Sequence, residues 1–200
     1  MNLYGIAKAA VGSINECKPV EVFISTGNAV DDAFVPGPSY ATPCAFTGSI
    51  AGNVLTVASL VSGVVMKGQT LFDVSSELVA NTIITGQLSG TKGGEGTYSV
   101  NLNPQTIAPE AMTTKLILQG QIQPMTWRDI QQLDGLTLQG TRKKIYLFGE
   151  VDGLVRSKNK GGDLIKDSYG NTWLVAQILE QWYDATPSWV AAAVTLQNGS

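Results

Sequence analysis

Short β-forming runs separated by glycine turns are the feature that most restricts how this chain can fold. FTGSIAGNVLTVASL, which begins at Phe46, places two apolar stretches around Gly52 and Asn53, two residues that tolerate a positive φ and favour a hairpin turn. VSGVVMKGQTLFDV repeats the pattern, and NTIITGQLSGTKGGEGTYSV gives a strand, a glycine-rich turn at residues 90–96 and a second strand. Hairpins at such short intervals predict an antiparallel β-sandwich or barrel.

The rest of the chain predicts a discontinuous body around this segment. A short strand, VEVFIS, precedes an extended connector with prolines at positions 36, 38 and 43, each of which fixes φ and removes a donor. After residue 115 come more strand-like runs, of which NTWLVAQILEQW is also compatible with a buried helix, although its composition favours a strand. We therefore predict a mainly β fold: a small β-barrel body (residues 1–43 and 115–200) with one short helix, and an inserted β-rich sandwich or barrel domain (44–114).

The short helix is predicted from its capping signals. Thr126 is a favourable N-cap, Asp129 follows three positions later, and Gly135 is the expected stop. Trp127, Ile130 and Leu133 are spaced three apart and so share one face.

Composition removes several classes of function. The chain contains no histidine, which excludes the commonest general base, the usual catalytic triad and most zinc sites. Cys17 and Cys44 form no CxxC motif. They either form one disulfide or remain two free thiols, and we expect free thiols because the cytoplasm is reducing. No apolar run reaches the length of about 18 residues that a membrane span needs. The N-terminus lacks the pattern of a secretory signal, so we expect synthesis in a cytoplasm without export.

Two candidate chemical sites are weak. The glycines of residues 90–96 are followed by the strand pattern TYSVNL, whereas a phosphate loop needs a helix there, so a hairpin tip is favoured. Glu150 and Asp152 flank Val151 in a strand-like stretch and would share a face, which suits cation binding or acid–base work. A solvated strand edge is the favoured interpretation. We predict no catalytic residue, no cofactor and no metal site.

Positive charge is concentrated in one region. The net charge of −3 argues against a dedicated nucleic-acid binder. Yet seven of the 13 lysines and arginines lie close together, namely Arg142, Lys143, Lys144, Arg156, Lys158, Lys160 and Lys166. Because Arg156, Lys158 and Lys160 alternate, they would point the same way on an extended chain. They are either a solvated loop or, repeated around a ring, a collar that contacts DNA phosphates.

Aromatic residues cluster in the last strands. Trp173 is predicted to lie in the core. Trp182 and Trp189 bracket a proline-containing turn and belong either to the core or to a subunit interface.

The C-terminal portion, roughly residues 120–197, resembles a family of tailed-bacteriophage virion proteins encoded among head and tail genes. The resemblance is carried by DIQQLDGL, KIYLFGEVDGLVR, KGGDLI, YGNTWLVAQILEQW and VAAAVTLQ, and it extends to small β-barrel neck proteins. The middle segment is similar to glycine- and threonine-rich β-modules that decorate many virion proteins.

This resemblance implies a non-enzymatic structural protein that forms a ring at the head-to-tail junction, as a neck, collar or connector. The implied partners are further copies of the chain, neighbouring portal, neck and tail proteins, and packaged DNA contacted without sequence preference; a membrane is not expected. The implied location is the virion, after assembly in the host cytoplasm. A tail-fibre or baseplate module that binds a host glycan is the alternative, and a wall-degrading hydrolase is a third hypothesis.

Overall fold

The fold is described from a computed structural model, for residues 16–30, 36–101, 105–133, 140–154, 161–182 and 188–197. The protein is mainly β. The chain folds into two compact units: residues 1–21 with 118–200, here called the barrel unit, and residues 22–117, here called the middle unit. This division groups residues 22–43 with the middle segment, whereas the sequence pattern placed them with the body.

The described elements, in chain order, are thirteen strands and one helix. They are β1 (Lys18–Phe23), β2 (Ser25–Val30), β3 (Pro36–Tyr40), β4 (Cys44–Gly52), β5 (Val54–Ser62), β6 (Thr70–Asp73), β7 (Ile84–Gly90), β8 (Gly96–Val100), β9 (Gln105–Gln123), α1 (Trp127–Gln132), β10 (Arg142–Phe148), β11 (Leu164–Lys166), β12 (Thr172–Trp182) and β13 (Trp189–Leu196).

The strands of the barrel unit pair in an order that closes on itself. The order is β9, β10, β13, β12, β11 and β1, and β1 also pairs with β9. Gly120 of β9 lies against Val20 of β1, where an added Cβ would be 3.3 Å from the valine Cγ2. The closed order leaves this unit without a free edge among its described strands.

Apolar alternation places the core of the barrel unit. On β10, Ile145 and Leu147 are fully buried, and they belong to the face opposite Lys144 and Tyr146. β13 lies between β10 and β12 and is buried along almost its whole length, as its WVAAAVTL sequence requires. The predictions of a strand for NTWLVAQILEQW and of a buried Trp173 are confirmed.

The middle unit has its own core and its own nearly closed strand order. Its strands pair in the order β6, β9, β4, β5, β8 and β7, and a bridge between Thr70 and Ile83 links the two ends. The predicted Gly52–Asn53 turn is confirmed: Ala51 pairs with Val54, and Gly52 has a φ of +66°. Its apolar core cluster consists of Cys44, Phe46, Ile50, Leu55, Val57, Val65, Leu71, Ile84, Tyr98, Val100, Ile107 and Met112.

One local prediction for the middle unit was wrong. VSGVVMKGQTLFDV is not a hairpin, because β6 pairs with β9. The buried side chain of Gln69 fixes the loop before β6: its Oε1 accepts from the Met66 amide and the Thr114 hydroxyl, both at 2.9 Å, and its Nε2 donates to the Val64 carbonyl at 2.8 Å. The proline-rich connector is extended at residues 36–40, as predicted, and these residues form β3, which pairs with β2.

The two cysteines are free thiols. Cys44 is fully buried, and this burial raises the pKa of its thiol to about 11. The Cys44 thiol is therefore protonated at neutral pH and is not an activated nucleophile.

Candidate assembly surface

Helix α1 begins with the predicted cap. The hydroxyl of Thr126 accepts from the Asp129 amide at 3.3 Å, and the Asp129 carboxylate accepts from the Thr126 amide at 2.9 Å. This reciprocal arrangement is a capping box. The helix ends at Gln132 with Leu133 as its C-cap, before the predicted stop at Gly135, which lies outside the described residues.

A buried ion pair attaches α1 to the barrel unit. Nζ of Lys144, on β10, donates to Oδ1 of Asp129 at 2.9 Å, and 7% and 5% of the two residues' surfaces are exposed. Each charge is therefore shielded from water, and each depends on the other for compensation. Lys144 belonged to the predicted surface cluster of positive charge, but its charge is neutralised inside the structure.

The apolar residues of α1 face outward. Trp127 is 73% exposed and Ile130 is 44% exposed, whereas the charged Asp129 between them is buried. A surface helix normally turns its apolar stripe inward and its polar residues to solvent. In α1 the buried residue is instead the charged Asp129, and Trp127 and Ile130 are exposed together with Arg128 and Gln131. Two large apolar groups are therefore held in water by a polar attachment.

A row of aromatic side chains, each in contact with the next, begins beside the ion pair and lies on the outer side of the barrel unit. Nζ of Lys144 lies 4.9 Å from the ring centroid of Tyr146, and the Tyr146 ring lies 6.1 Å from that of Trp189. Trp189 pairs across the strands with Trp182, and their rings stack at 5.5 Å with an interplanar angle of 18°. Trp182 is 56% exposed. The assembly surface is defined here as Trp127, Ile130, Tyr146, Trp182 and Trp189.

The ion pair predicts a plateau of stability between acid and alkali. Burial disfavours the charged form of Asp129, but hydrogen bonds from Lys144 and Thr126 outweigh it and hold the pKa of the carboxyl below its ordinary 3.8. Burial also disfavours the Lys144 ammonium, yet bonds with Asp129 and Tyr146 raise its pKa above 10.5. The pair's stabilisation is therefore expected to be lost as pH falls below about 4 or rises above about 10.5.

Urea denaturation across this pH range tests the plateau. The wild-type chain is compared with the double variant Asp129→Leu/Lys144→Met, in which neither group titrates. The difference in free energy of unfolding should change at both ends of the range. Parallel pH profiles for the two proteins would show that the ion pair does not contribute to the pH dependence of the free energy of unfolding.

The other predicted site residues form no catalytic arrangement. Arg156, Lys158 and Lys160 lie outside the described residues. Glu150 and Asp152 are exposed and follow the end of β10, so they do not share a strand face as predicted. The glycines at 90–96 connect β7 to β8 as a turn, and no helix begins there.

The described ranges contain no group of three or more cysteine, aspartate and glutamate side chains placed to hold a metal ion. No helix within them has the length and apolar character needed to cross a membrane. Comparison with protein-family models, with curated proteins and with solved structures finds no match for the chain.

Proposed function

We propose that this chain is a non-enzymatic structural protein of a tailed-bacteriophage virion, and that it assembles as a homo-oligomeric ring at the head-to-tail junction. The observation that carries the assembly part is helix α1, whose Trp127 and Ile130 are exposed while Asp129 is buried. Exposed apolar groups of this kind mark protein contact surfaces. The phage part rests on the sequence resemblance.

A second copy of the chain is the partner that this surface favours. Lys144 and Asp129 neutralise each other, so this pair adds no net charge to the apolar and aromatic contact surface. Arg128, next to Trp127 in α1, is exposed and carries a positive charge. Tryptophan and tyrosine are enriched at the centres of interfaces, where they supply most of the binding free energy. The chain as a whole is sparsely charged, at 14%, which suits a subunit with much of its surface covered.

The proposal includes the junction's other partners. Neighbouring portal, neck and tail proteins would contact the two ends of the ring, and Arg156, Lys158 and Lys160 would face the DNA channel. These three residues lie outside the described part of the chain, so their role rests on their alternation in the sequence.

Subunit association tests the proposal directly. Analytical ultracentrifugation of the full chain should give a closed oligomer, and electron microscopy should show rings. Trp127→Lys and Trp182→Lys should each weaken association by about thirtyfold or more, because each places a charge where a desolvated aromatic ring is needed.

Val61→Lys is the matched control. Val61 is 75% exposed, close to the value for Trp127, but it lies on β5 of the middle unit. Its substitution should leave the oligomer intact, and circular dichroism should show all three variants folded. A wild-type chain that stays monomeric, or equal losses in all three variants, would contradict the assembly surface.

Position in the particle tests the phage assignment. Gold-labelled antibody against the chain should mark the neck of purified virions. Label at the distal tail tip would instead support the glycan-binding alternative, and absence of the chain from virions would refute both.

A further inference from the structure

A small cleft lies on the barrel unit, between the segment around Lys18 and the turn at residues 167–171. Its volume is about 240 Å³, and its lining includes Val20 and Ile122 as well as Lys18, Lys143 and Tyr169. Pockets for drug-sized ligands usually measure about 300–1,000 Å³. This cleft therefore suits one small group, either alone or as part of a larger molecule.

Asp167 builds one wall of the cleft and has its acceptor positions occupied. Its Oδ1 accepts from the amides of Tyr169 and Asn171, both at 2.9 Å. Its Oδ2 accepts from Nδ2 of Asn171 at 2.9 Å and from Nε1 of Trp173 at 3.0 Å. Four donors thus occupy the carboxylate, so Asp167 is a positioning residue that fixes the turn, and it keeps its negative charge at neutral pH.

Two ammonium groups line the same cleft without a carboxylate partner among the described residues. Nζ of Lys18 donates to the Tyr169 hydroxyl at 2.6 Å and lies 4.7 Å from the centroid of its ring. Nζ of Lys143 lies 5.2 Å from the Trp173 ring centroid. An ammonium has three N–H donors, and a contact with an aromatic face uses none of them as a conventional hydrogen bond. Donor capacity therefore remains at both lysines.

The remaining N–H donors of the two lysines favour an oxyanion. We propose that the cleft binds a phosphate group. Phosphate accepts several charge-assisted hydrogen bonds at once, and lysine binds it as a point charge from more than one direction. Ser168 adds a hydroxyl to the lining, and the 75% exposed ring of Tyr169 offers a flat surface to whatever carries the phosphate.

Glu16 and Asp167 are the carboxylates of the lining, and both oppose an anion. The Glu16 side chain is exposed and acts electrostatically on Lys18, with no ion pair to Lys18 or Lys143 in the described part of the chain. Removing its charge should therefore strengthen anion binding, whereas a cleft that bound a cation would respond in the opposite direction.

Titration with inorganic phosphate tests the site in the full chain. Two-dimensional NMR of the ¹⁵N-labelled protein, with ionic strength held constant by sodium chloride, should show saturable shifts at the Tyr169 and Asn171 amides. Lys18→Gln and Lys143→Gln should each weaken binding by about tenfold, and Lys143→Arg should retain most of it. Glu16→Gln should tighten binding by about threefold.

Lys92→Gln is the matched control. It also removes one lysine charge, but from the turn between β7 and β8 in the middle unit. Its affinity for phosphate should equal that of the wild type. Non-saturable shifts, equal weakening by Lys92→Gln, or weaker binding in Glu16→Gln would overturn the proposal.

Two further titrations identify the source of the phosphate. A mononucleotide that binds at least as well as a short single-stranded oligonucleotide indicates a small phosphorylated molecule. An oligonucleotide that binds more tightly, with an affinity that falls as salt rises and is lost in Lys18→Gln, indicates a nucleic-acid backbone. Failure of both to compete with inorganic phosphate would overturn the site.

Phosphate binding at the cleft is independent of ring assembly. Trp127 and Trp182 are not part of the cleft lining, so the variants Trp127→Lys and Trp182→Lys should bind phosphate like the wild type. Lys143→Gln should leave the sedimentation of the oligomer unchanged. The two proposals can therefore fail separately.

Discussion

Replacing Asp129 by alanine is expected to lower the free energy of unfolding by about 3–5 kcal/mol, because it leaves the buried ammonium of Lys144 without its counterion. The carboxylate also accepts from the amide and hydroxyl of Thr126, at 2.9 and 2.7 Å, so the same change removes half of the helix cap. Such a loss is a large part of the roughly 5–15 kcal/mol that stabilises a typical domain. Urea denaturation followed by circular dichroism measures it.

The double variant Asp129→Leu/Lys144→Met removes both charges and keeps the two buried positions filled with apolar side chains. Well-packed apolar replacements for a buried ion pair are often neutral or stabilising, so the double variant should recover most of the lost stability. A loss below about 1 kcal/mol for Asp129→Ala would mean that water screens the pair, as it screens a surface salt bridge.

Asp129→Ala also tests how α1 is attached to the barrel unit. If Asp129 holds the helix, Asp129→Ala should also weaken subunit association, because Trp127 and Ile130 would no longer be held in place. The double variant should restore association only as far as its new side chains reproduce the position of the helix.

Local signals predicted the parts of this fold that neighbouring residues determine. The turn at Gly52 and the cap at Thr126 each depend on side chains within a few positions, so the sequence pattern was sufficient. The partner of β6 was missed because its register, Thr70 opposite Lys115, joins residues far apart in the chain. The local turn residues before β6 favoured a hairpin, but Gln69 anchors that loop to Thr114 instead.

Charge and exposure could not be assigned from spacing alone. Lys144 belongs to a basic run in the sequence, yet its environment depends on Asp129 of helix α1, to which it is paired. The spacing of Trp127 and Ile130 predicted a shared face, but only the tertiary structure shows that this face points to solvent. The cleft carried no sequence signal, because Lys18 and Lys143 come from distant parts of the chain.

Substituting alanine for Gly162 is expected to destabilise the barrel unit by about 3 kcal/mol. A Cβ at this position would lie 2.0 Å from the carbonyl oxygen of Val175, which is fully buried on β12. Because the obstructing atom belongs to the backbone, no side-chain rotation relieves the clash, and the segment at 162–163 must move away from β12.

That movement would break specific hydrogen bonds. The Val175 amide donates to the carbonyl of Asp163 at 2.9 Å, and the Asp152 amide donates to the buried Asp163 carboxylate at 2.7 Å. Hydrogen exchange of these two amides should therefore accelerate in Gly162→Ala more than exchange in the middle unit does.

Gly37→Ala is the control for adding a methyl group at a glycine. A Cβ at Gly37 would have no atom within 4 Å, so its effect should stay within about 0.5 kcal/mol. If Gly162→Ala is equally mild, the backbone at position 162 does not approach β12 closely enough for an added Cβ to clash with it. The glycine pair in KGGDLI would then be a turn signal only, and the close approach of backbone to backbone would not be the reason that position 162 lacks a side chain.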